Sequence, residues 1–245
     1  MPELKKIFAL AVLLMAGGAI SGCSKPIVDA VDKGDAATVA AMLANGADVN
    51  TRNPADDPLV SVAIRRGHVD VARLLLQHDA DVNAKGTLGV SPLMFAVSRN
   101  YPDLVRDLIE AGANVNDRDR FGNTALNMQP DRDNPEVIAP LLDHGADINA
   151  ANDNGHTPLM VAAYLGRREI SRLLVERGAN VNAAARDGQT ALMRAARQGR
   201  IDVVRLLLAS GADINAHNKD GESALTWASQ QGRGEVVRIL QEAPR

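Results

Sequence analysis

Apolar and polar positions along this chain recur with a fixed period of 33 residues. Each period closes on a segment like Gly-Ala-Asp-Val-Asn, which is found first at residues 46–50. The closing asparagine falls at Asn50, Asn83, Asn116, Asn149, Asn182 and Asn215, with no insertion or deletion between them. Two short apolar runs separate one closing segment from the next, and each run is long enough for a short helix. A period of this length predicts stacked helical repeats, because a single unit cannot bury its own apolar side.

The residues around each apolar run predict where its helix begins and ends. The first helix of a repeat, helix A, is predicted to begin after a hydroxyl residue, which can accept hydrogen bonds from the free N–H groups of the first turn. These positions are Ser91, Thr124, Thr157, Thr190 and Ser223. Glycine can adopt the left-handed conformation that ends a helix. It predicts the end of helix A at Gly67, Gly166, Gly199 and Gly232, and of the second helix, helix B, at Gly46, Gly112, Gly145, Gly178 and Gly211.

The Thr-Pro-Leu box at residues 157–159 and the Gly-Ala-Asp-Val-Asn endings resemble the motifs of ankyrin repeats. The resemblance covers residues 24–245 and implies an all-α solenoid of about seven helix-turn-helix repeats joined by extended β-turn loops. An aromatic content of 2% favours such closely packed small helices. Within a domain at 23–245, the repeats are predicted at 24–50, 51–83, 84–116, 117–149, 150–182, 183–215 and 216–245.

The first residues of the chain do not follow the repeat. Lys5 and Lys6 precede an apolar run at residues 7–20. This run is too short to span a bilayer comfortably, but it has the length and the positive flank of a secretory signal. Residues 1–22 are therefore predicted to be a signal peptide.

The apolar run ends in Ile20-Ser21-Gly22-Cys23, where Cys23 is the one cysteine of the sequence. The segment resembles the lipobox of bacterial lipoproteins. The resemblance implies cleavage before Cys23 and acylation of that residue, so that lipid anchors the protein to a membrane. The alternative is an ordinary cleaved signal with an incidental cysteine. Ser24 resembles the residue that follows the cysteine in Gram-negative outer-membrane lipoproteins, which implies the periplasmic face of the outer membrane.

Two repeats depart from the pattern. In the fourth, Pro130 stands inside the predicted helix A and Asp133 replaces the glycine that ends it. Helix A should be short there, because a proline inside a helix removes a hydrogen bond and clashes with the preceding turn. This repeat is either tolerated by its neighbours or shaped for a contact. The second repeat lacks the Thr-Pro pair and reads Asp57-Pro58-Leu59-Val60, and Asp79 replaces the glycine that ends helix B.

Catalysis is not expected, because no acid, base, nucleophile or metal ligands converge in the repeat register. The histidines are interpreted as solvated surface residues, at His68, His78, His144, His156 and His217. We expect no cofactor and no metal ion. A net charge of −3 also argues against nucleic acid as a partner. The chain alone is expected to be a monomer.

By resemblance to other ankyrin repeat proteins, partner binding is expected at the turn tips and the exposed side of helix A. The residues predicted there are Arg65, Arg66, Leu88, Arg99, Arg120, Phe121, Arg132, Tyr164, Leu165 and Arg197. Arginine and aromatic residues dominate the energetics of many interfaces. The set is interpreted either as an arginine-rich groove for an acidic protein or as an ordinary solvated surface.

The sequence leaves several functions open. The first is a non-catalytic lipoprotein of the bacterial envelope that holds or inhibits a periplasmic protein. Two versions of it are an immunity protein against an antibacterial toxin, such as a lipase, and an accessory protein for a resident enzyme, such as a catalase. The second is an envelope structural element that binds glycan or lipid. A degenerate enzyme is the third, and the scattered histidines disfavour it.

Overall fold

The computed structural model describes residues 26–243 of the chain. This part contains thirteen α-helices and two short 3-10 helices, and no β-strand. The all-α repeat architecture predicted from the sequence is therefore confirmed. The predicted signal peptide at 1–22, Cys23 and Ser24 lie outside the described residues.

The helices form pairs, one pair in each repeat. Helix A of successive repeats spans Pro26–Lys33, Leu59–Arg66, Pro92–Ser98, the 3-10 turn Ala125–Asn127, Pro158–Leu165, Ala191–Gln198 and Ala224–Gln230. Helix B spans Ala36–Ala44, Val69–Gln77, Pro102–Glu110, Ala139–Asp143, Arg168–Glu176, Ile201–Ala209 and Gly234–Glu242. The second 3-10 helix, Pro135–Val137, precedes helix B of the fourth repeat.

Local sequence accounts for the ends of the helices. The hydroxyls of Thr157 and Thr190 each accept a hydrogen bond from the backbone N–H three residues later, at 3.4 Å. Helix A of the fifth repeat ends at Gly166 in the left-handed conformation, with φ +77°, as the sequence predicts. Asp79 adopts the same conformation with φ 61°. Its position in the repeat requires a left-handed residue, and aspartate tolerates that conformation better than most side chains do.

The core is one continuous cluster that runs from repeat to repeat. Apolar residues at the same position of helix A in the second, third and fourth repeats, Val60, Leu93 and Leu126, are at most 2% exposed. Ala162 and Ala195 are fully buried where helices A of the fifth and sixth repeats meet. Their small side chains let the two helices approach closely, as stacked repeats require.

The closing asparagines connect each repeat to the next. Asn116 accepts a hydrogen bond from the backbone N–H of Asp147 at 2.8 Å and donates one to the backbone oxygen of Gly145 at 3.0 Å. Asn182 makes the same pair of bonds, with Asp213 and Gly211, at 2.8 and 3.0 Å. An asparagine side chain can do both at once because its amide has an acceptor and a donor. The accepted bond recurs at the first five junctions between repeats, from Asn50 to Asn182.

The fourth repeat is irregular, as its sequence predicts, and its neighbours compensate for the irregularity. Its helix A consists of one 3-10 turn, Ala125–Asn127. The chain then runs through Pro130 to Asp133, whose carboxylate accepts hydrogen bonds from the backbone N–H groups of Glu169 and Ile170 at 2.8 and 3.0 Å. These N–H groups belong to the first turn of helix B in the next repeat, where a carboxylate is favourable. Asp133 therefore stabilises helix B of the next repeat. A glycine at this position would only end helix A of the fourth repeat.

Candidate protein-binding surface

The loop that precedes helix A of a repeat, which we call the turn tip, forms backbone hydrogen bonds with the turn tip of the neighbouring repeat. The N–H of Arg120 donates to the oxygen of Leu88 at 3.0 Å, and the N–H of Asp153 donates to the oxygen of Phe121 at 3.0 Å. Side chains that are 33 residues apart in sequence are therefore neighbours in space. The tips and helix A also border a common surface, since Asp187 of one tip and Tyr164 of a helix A line the same cavity.

The largest exposed apolar side chains in the described part of the chain belong to this surface. They are Leu88, Phe121 and Tyr164, with 53%, 59% and 40% of their surface exposed. Together with Arg99, at the end of helix A in the third repeat, and Arg132, in the loop after the 3-10 turn of the fourth, we call them the binding face. Scattered exposed apolar residues are ordinary, but residues of this size on successive repeats are typical of an interaction site.

The arginines predicted to bind a partner differ in their contacts. Arg65 pairs with Asp57 at 3.0 Å, and Arg66 pairs with Asp32 at 2.7 Å. Within residues 26–243, no ion pair involves three of the other exposed arginines, which are Arg99, Arg120 and Arg132. Their charges are therefore available to a partner, whereas those of Arg65 and Arg66 are already partly balanced. Leu165 is half-buried.

A second group of side chains surrounds a cavity of about 150 Å³ formed by the last three repeats. Its lining residues are His156, Tyr164, Asp187, Gln189, Arg194, Arg197 and Trp227. Tyr164 and Arg197 were expected at a binding surface from the sequence, but the others were not. The sequence contained one signal that was missed, at the helix A position one turn before Arg197. This position is occupied by Arg194 in the sixth repeat, by Phe95 in the third and by Trp227 in the last.

The interpretation of His156 as a solvated residue is wrong. His156 is half-buried, and its Nε2 accepts a hydrogen bond from Nη1 of Arg194 at 2.7 Å. Nε2 can accept only when it carries no proton. Burial, and then the positive charge of Arg194, lower the pKa of His156 below its usual 6.5, while Asp187 opposes them. The imidazole is therefore held neutral, with its proton on Nδ1.

Protonation of His156 at low pH should break its hydrogen bond with Arg194. Because the folded chain binds a proton at His156 more weakly than the unfolded chain does, the stabilisation is complete above about pH 6.5 and is lost as the pH falls below it. We expect the melting temperature of His156→Gln to change less between about pH 7.5 and about pH 5 than that of the wild type. Gln offers Arg194 an acceptor that does not titrate. His217→Gln, at an exposed position, is the control and should behave as the wild type; equal pH dependence in all three proteins would refute the assignment.

His68 is also not simply solvated, contrary to the sequence interpretation. It is half-buried, and its Nε2 hydrogen-bonds to the backbone oxygen of Asp32 in the first repeat at 3.1 Å. A side chain at Gly34 would collide with its ring, since a Cβ there would lie 2.5 Å from Nδ1. His68 therefore joins the first two repeats. In the part of the chain that the structure describes, no group of three or more His, Cys, Asp and Glu side chains could hold a metal ion.

Comparison with protein families identifies the fold. The family model for ankyrin repeats (3 copies) matches the chain in overlapping stretches at residues 27–119, 93–185, 130–218 and 182–244. This chain belongs to the ankyrin repeat family, whose members are typically non-catalytic modules for protein–protein interaction. A comparison with curated proteins found no match. Over residues 26–243, none of the helices has the length and apolar character needed to cross a membrane.

Proposed function

We propose that this chain is a lipid-anchored protein of the bacterial envelope that holds or inhibits a periplasmic protein through its binding face. The observation that carries the proposal is the presence of exposed apolar side chains, Leu88, Phe121 and Tyr164, on three successive repeats. Two of these repeats also carry Arg99 and Arg132, which are exposed and have no ion pair within residues 26–243. Apolar contacts would supply most of the affinity, and the arginines would select an acidic partner and set its orientation.

The arginines favour a partner with an acidic surface. An arginine that already has an intramolecular carboxylate gains little from a second one, so Arg65 and Arg66 contribute less to this proposal. Arg99, Arg120 and Arg132 offer planar groups of N–H donors that match carboxylates well. Arg99 lies in the third repeat and Arg120 and Arg132 lie in the fourth, and these two repeats also contain Leu88 and Phe121. The centre of the proposed interface is therefore the middle of the solenoid.

Our proposal for the location of the protein rests on its first residues. The basic start, the apolar run at 7–20 and Cys23 support export and lipid attachment, and Ser24 supports sorting to the outer membrane. A role as an immunity protein requires a toxin that reaches the periplasm. A role as an accessory protein requires a resident periplasmic enzyme, such as a catalase. The two roles differ in partner and share the binding face.

Charge reversal at the centre of the binding face should abolish capture of the partner. We expect full-length Arg99→Glu/Arg132→Glu to recover at least about tenfold less partner from periplasmic extract than the wild type, measured by quantitative mass spectrometry. Neither arginine has an ion pair in residues 26–243, so the variant should remain folded. A control away from the binding face, Arg106→Glu/Arg205→Glu, reverses two exposed arginines on helices B, which pair with Asp103 and Glu235. It should recover as much partner as the wild type if it remains folded, which circular dichroism verifies. Equal loss in both variants would remove the binding face from the proposal.

The identity of the captured protein then separates the versions of the proposal. A toxin encoded beside this chain would establish an immunity role, and a resident enzyme would establish an accessory role. Recovery of peptidoglycan or lipid, with no protein lost on charge reversal, would instead favour an envelope structural element.

A further inference from the structure

The cavity of the last three repeats contains two arginines whose guanidinium groups lie against aromatic rings. The guanidinium carbon of Arg194 is 5.2 Å from the ring centre of Tyr164, and that of Arg197 is 4.4 Å from the ring centre of Trp227. Both arginines lie on helix Ala191–Gln198, one turn apart. Stacking of this kind leaves the N–H groups free, because they point outward in the plane of the guanidinium. The aromatic rings thus position both side chains without occupying their N–H groups.

Arg194 has a specific set of unused donors. Its Nη1 donates to His156, whereas its Nε is buried without any hydrogen-bond partner. Nε and Nη2 form the edge of a guanidinium that binds a carboxylate with two parallel hydrogen bonds. A buried donor without an acceptor is costly. A carboxylate at this edge would remove that cost without displacing His156.

The acidic residues nearby already have partners of their own. Asp187 accepts hydrogen bonds from the backbone and side-chain N–H groups of Gln189, at 3.0 and 2.6 Å. Glu222 accepts from the indole N–H of Trp227 at 2.6 Å, and also from Asn218 and Gln230 at 3.2 and 3.0 Å. Neither carboxylate lies within 4.0 Å of Arg194 or Arg197 in an ion pair. The arginines therefore have nearby negative charge but no direct carboxylate ligand.

We propose that this cavity binds one carboxylate group, presented by an acidic side chain of the protein partner, on the guanidinium edge of Arg194 with Arg197 beside it. The inference rests on the proposed function, because it assigns a part of the partner to a defined pocket. A volume of about 150 Å³ admits a carboxylate and the methylenes that carry it. The negative charges of Asp187 and Glu222 disfavour a doubly charged phosphate more than a singly charged carboxylate.

The single tryptophan of the sequence, Trp227, lines this cavity, so its fluorescence reports on the pocket alone. Full-length protein is titrated with N-acetyl-glutamic acid amide, which carries a side-chain carboxylate, at constant ionic strength. N-acetyl-glutamine amide is the neutral control of the same shape. We expect a saturable change in Trp227 fluorescence with the acid and none with the amide.

Variants locate the effect. Arg194→Gln should raise the dissociation constant for the acid by about tenfold or more. Arg194→Lys should raise the dissociation constant by a comparable factor, because lysine keeps the charge and lacks the planar pair of donors. Arg186→Gln, at an exposed arginine outside the cavity lining, should leave it unchanged. Circular dichroism melting of each variant verifies folding, and Arg194→Lys serves as the test if Arg194→Gln is unfolded.

Three results would overturn the proposal. They are an equal response to acid and amide, an unchanged dissociation constant in both Arg194 variants, and tighter binding of inorganic phosphate than of the acid. N-acetyl-glycine, which mimics a chain terminus, should bind more weakly than the glutamate probe; the reverse would assign the pocket to a terminal carboxylate and contradict the side-chain assignment. Because the titration uses no partner, its outcome is independent of whether the binding face holds a protein.

Discussion

Replacement of Leu126 by alanine is expected to lower the free energy of unfolding by about 3 kcal/mol. Leu126 is completely buried, and it lies in the single 3-10 turn that stands for helix A in the fourth repeat. Few apolar residues attach this short turn to its neighbours. Loss of the side chain would therefore leave a cavity that the repeat has little means of filling. Denaturant unfolding followed by circular dichroism measures the change.

Leu225 provides the matched control. It occupies the same position as Leu126, three repeats further along, but it is only half-buried in the last repeat. Leu225→Ala should therefore cost about 1 kcal/mol, less than half the effect at Leu126. If the two variants lost equal stability, the fourth repeat would not be packed between its neighbours as the structure has it.

Cys23→Ser is expected to release the protein from the membrane almost completely. Acyl chains contribute about 0.8 kcal/mol for each methylene that they bury, so a multiply acylated cysteine holds the chain firmly and a serine at this position cannot be acylated. Membrane and soluble fractions of cells, probed for the full-length chain, measure the effect.

Two controls accompany this variant. Ser24→Ala keeps Cys23 and should stay with the membranes. Ser24→Asp should move from the outer to the inner membrane, as the resemblance to Gram-negative lipoproteins implies. Cys23→Ser protein that sediments with membranes after its signal peptide has been removed would show that lipid on Cys23 is not the anchor.

The sequence predicted those features that depend on local chemistry. The start of helix A at Thr157 and its end at Gly166 follow from a hydroxyl cap and from the left-handed conformation of glycine. The short helix A of the fourth repeat follows from Pro130. The regular spacing of the closing asparagines predicted stacked pairs of helices, because each unit packs against an almost identical one.

Contacts between side chains of different repeats could not be predicted in the same way. Arg194 and His156 are 38 residues apart, and Arg66 and Asp32 are 34 apart. Whether such pairs meet depends on rotamers and on the exact packing of neighbouring helices, and neither follows from the spacing. Asp133 was recognised as a departure from the repeat, but its hydrogen bonds to the next helix B depend on the path of an irregular loop.

The central claim, that the binding face holds a protein, is tested most directly by site-specific photo-crosslinking in living cells. A photoreactive phenylalanine analogue is placed at Phe121 on the binding face, and in a second strain at Gln77, which is exposed at the end of a helix B. We expect irradiation to give one discrete adduct with a single protein from position 121 and none from position 77. The absence of an adduct at position 121, or the same adducts from both positions, would contradict the claim.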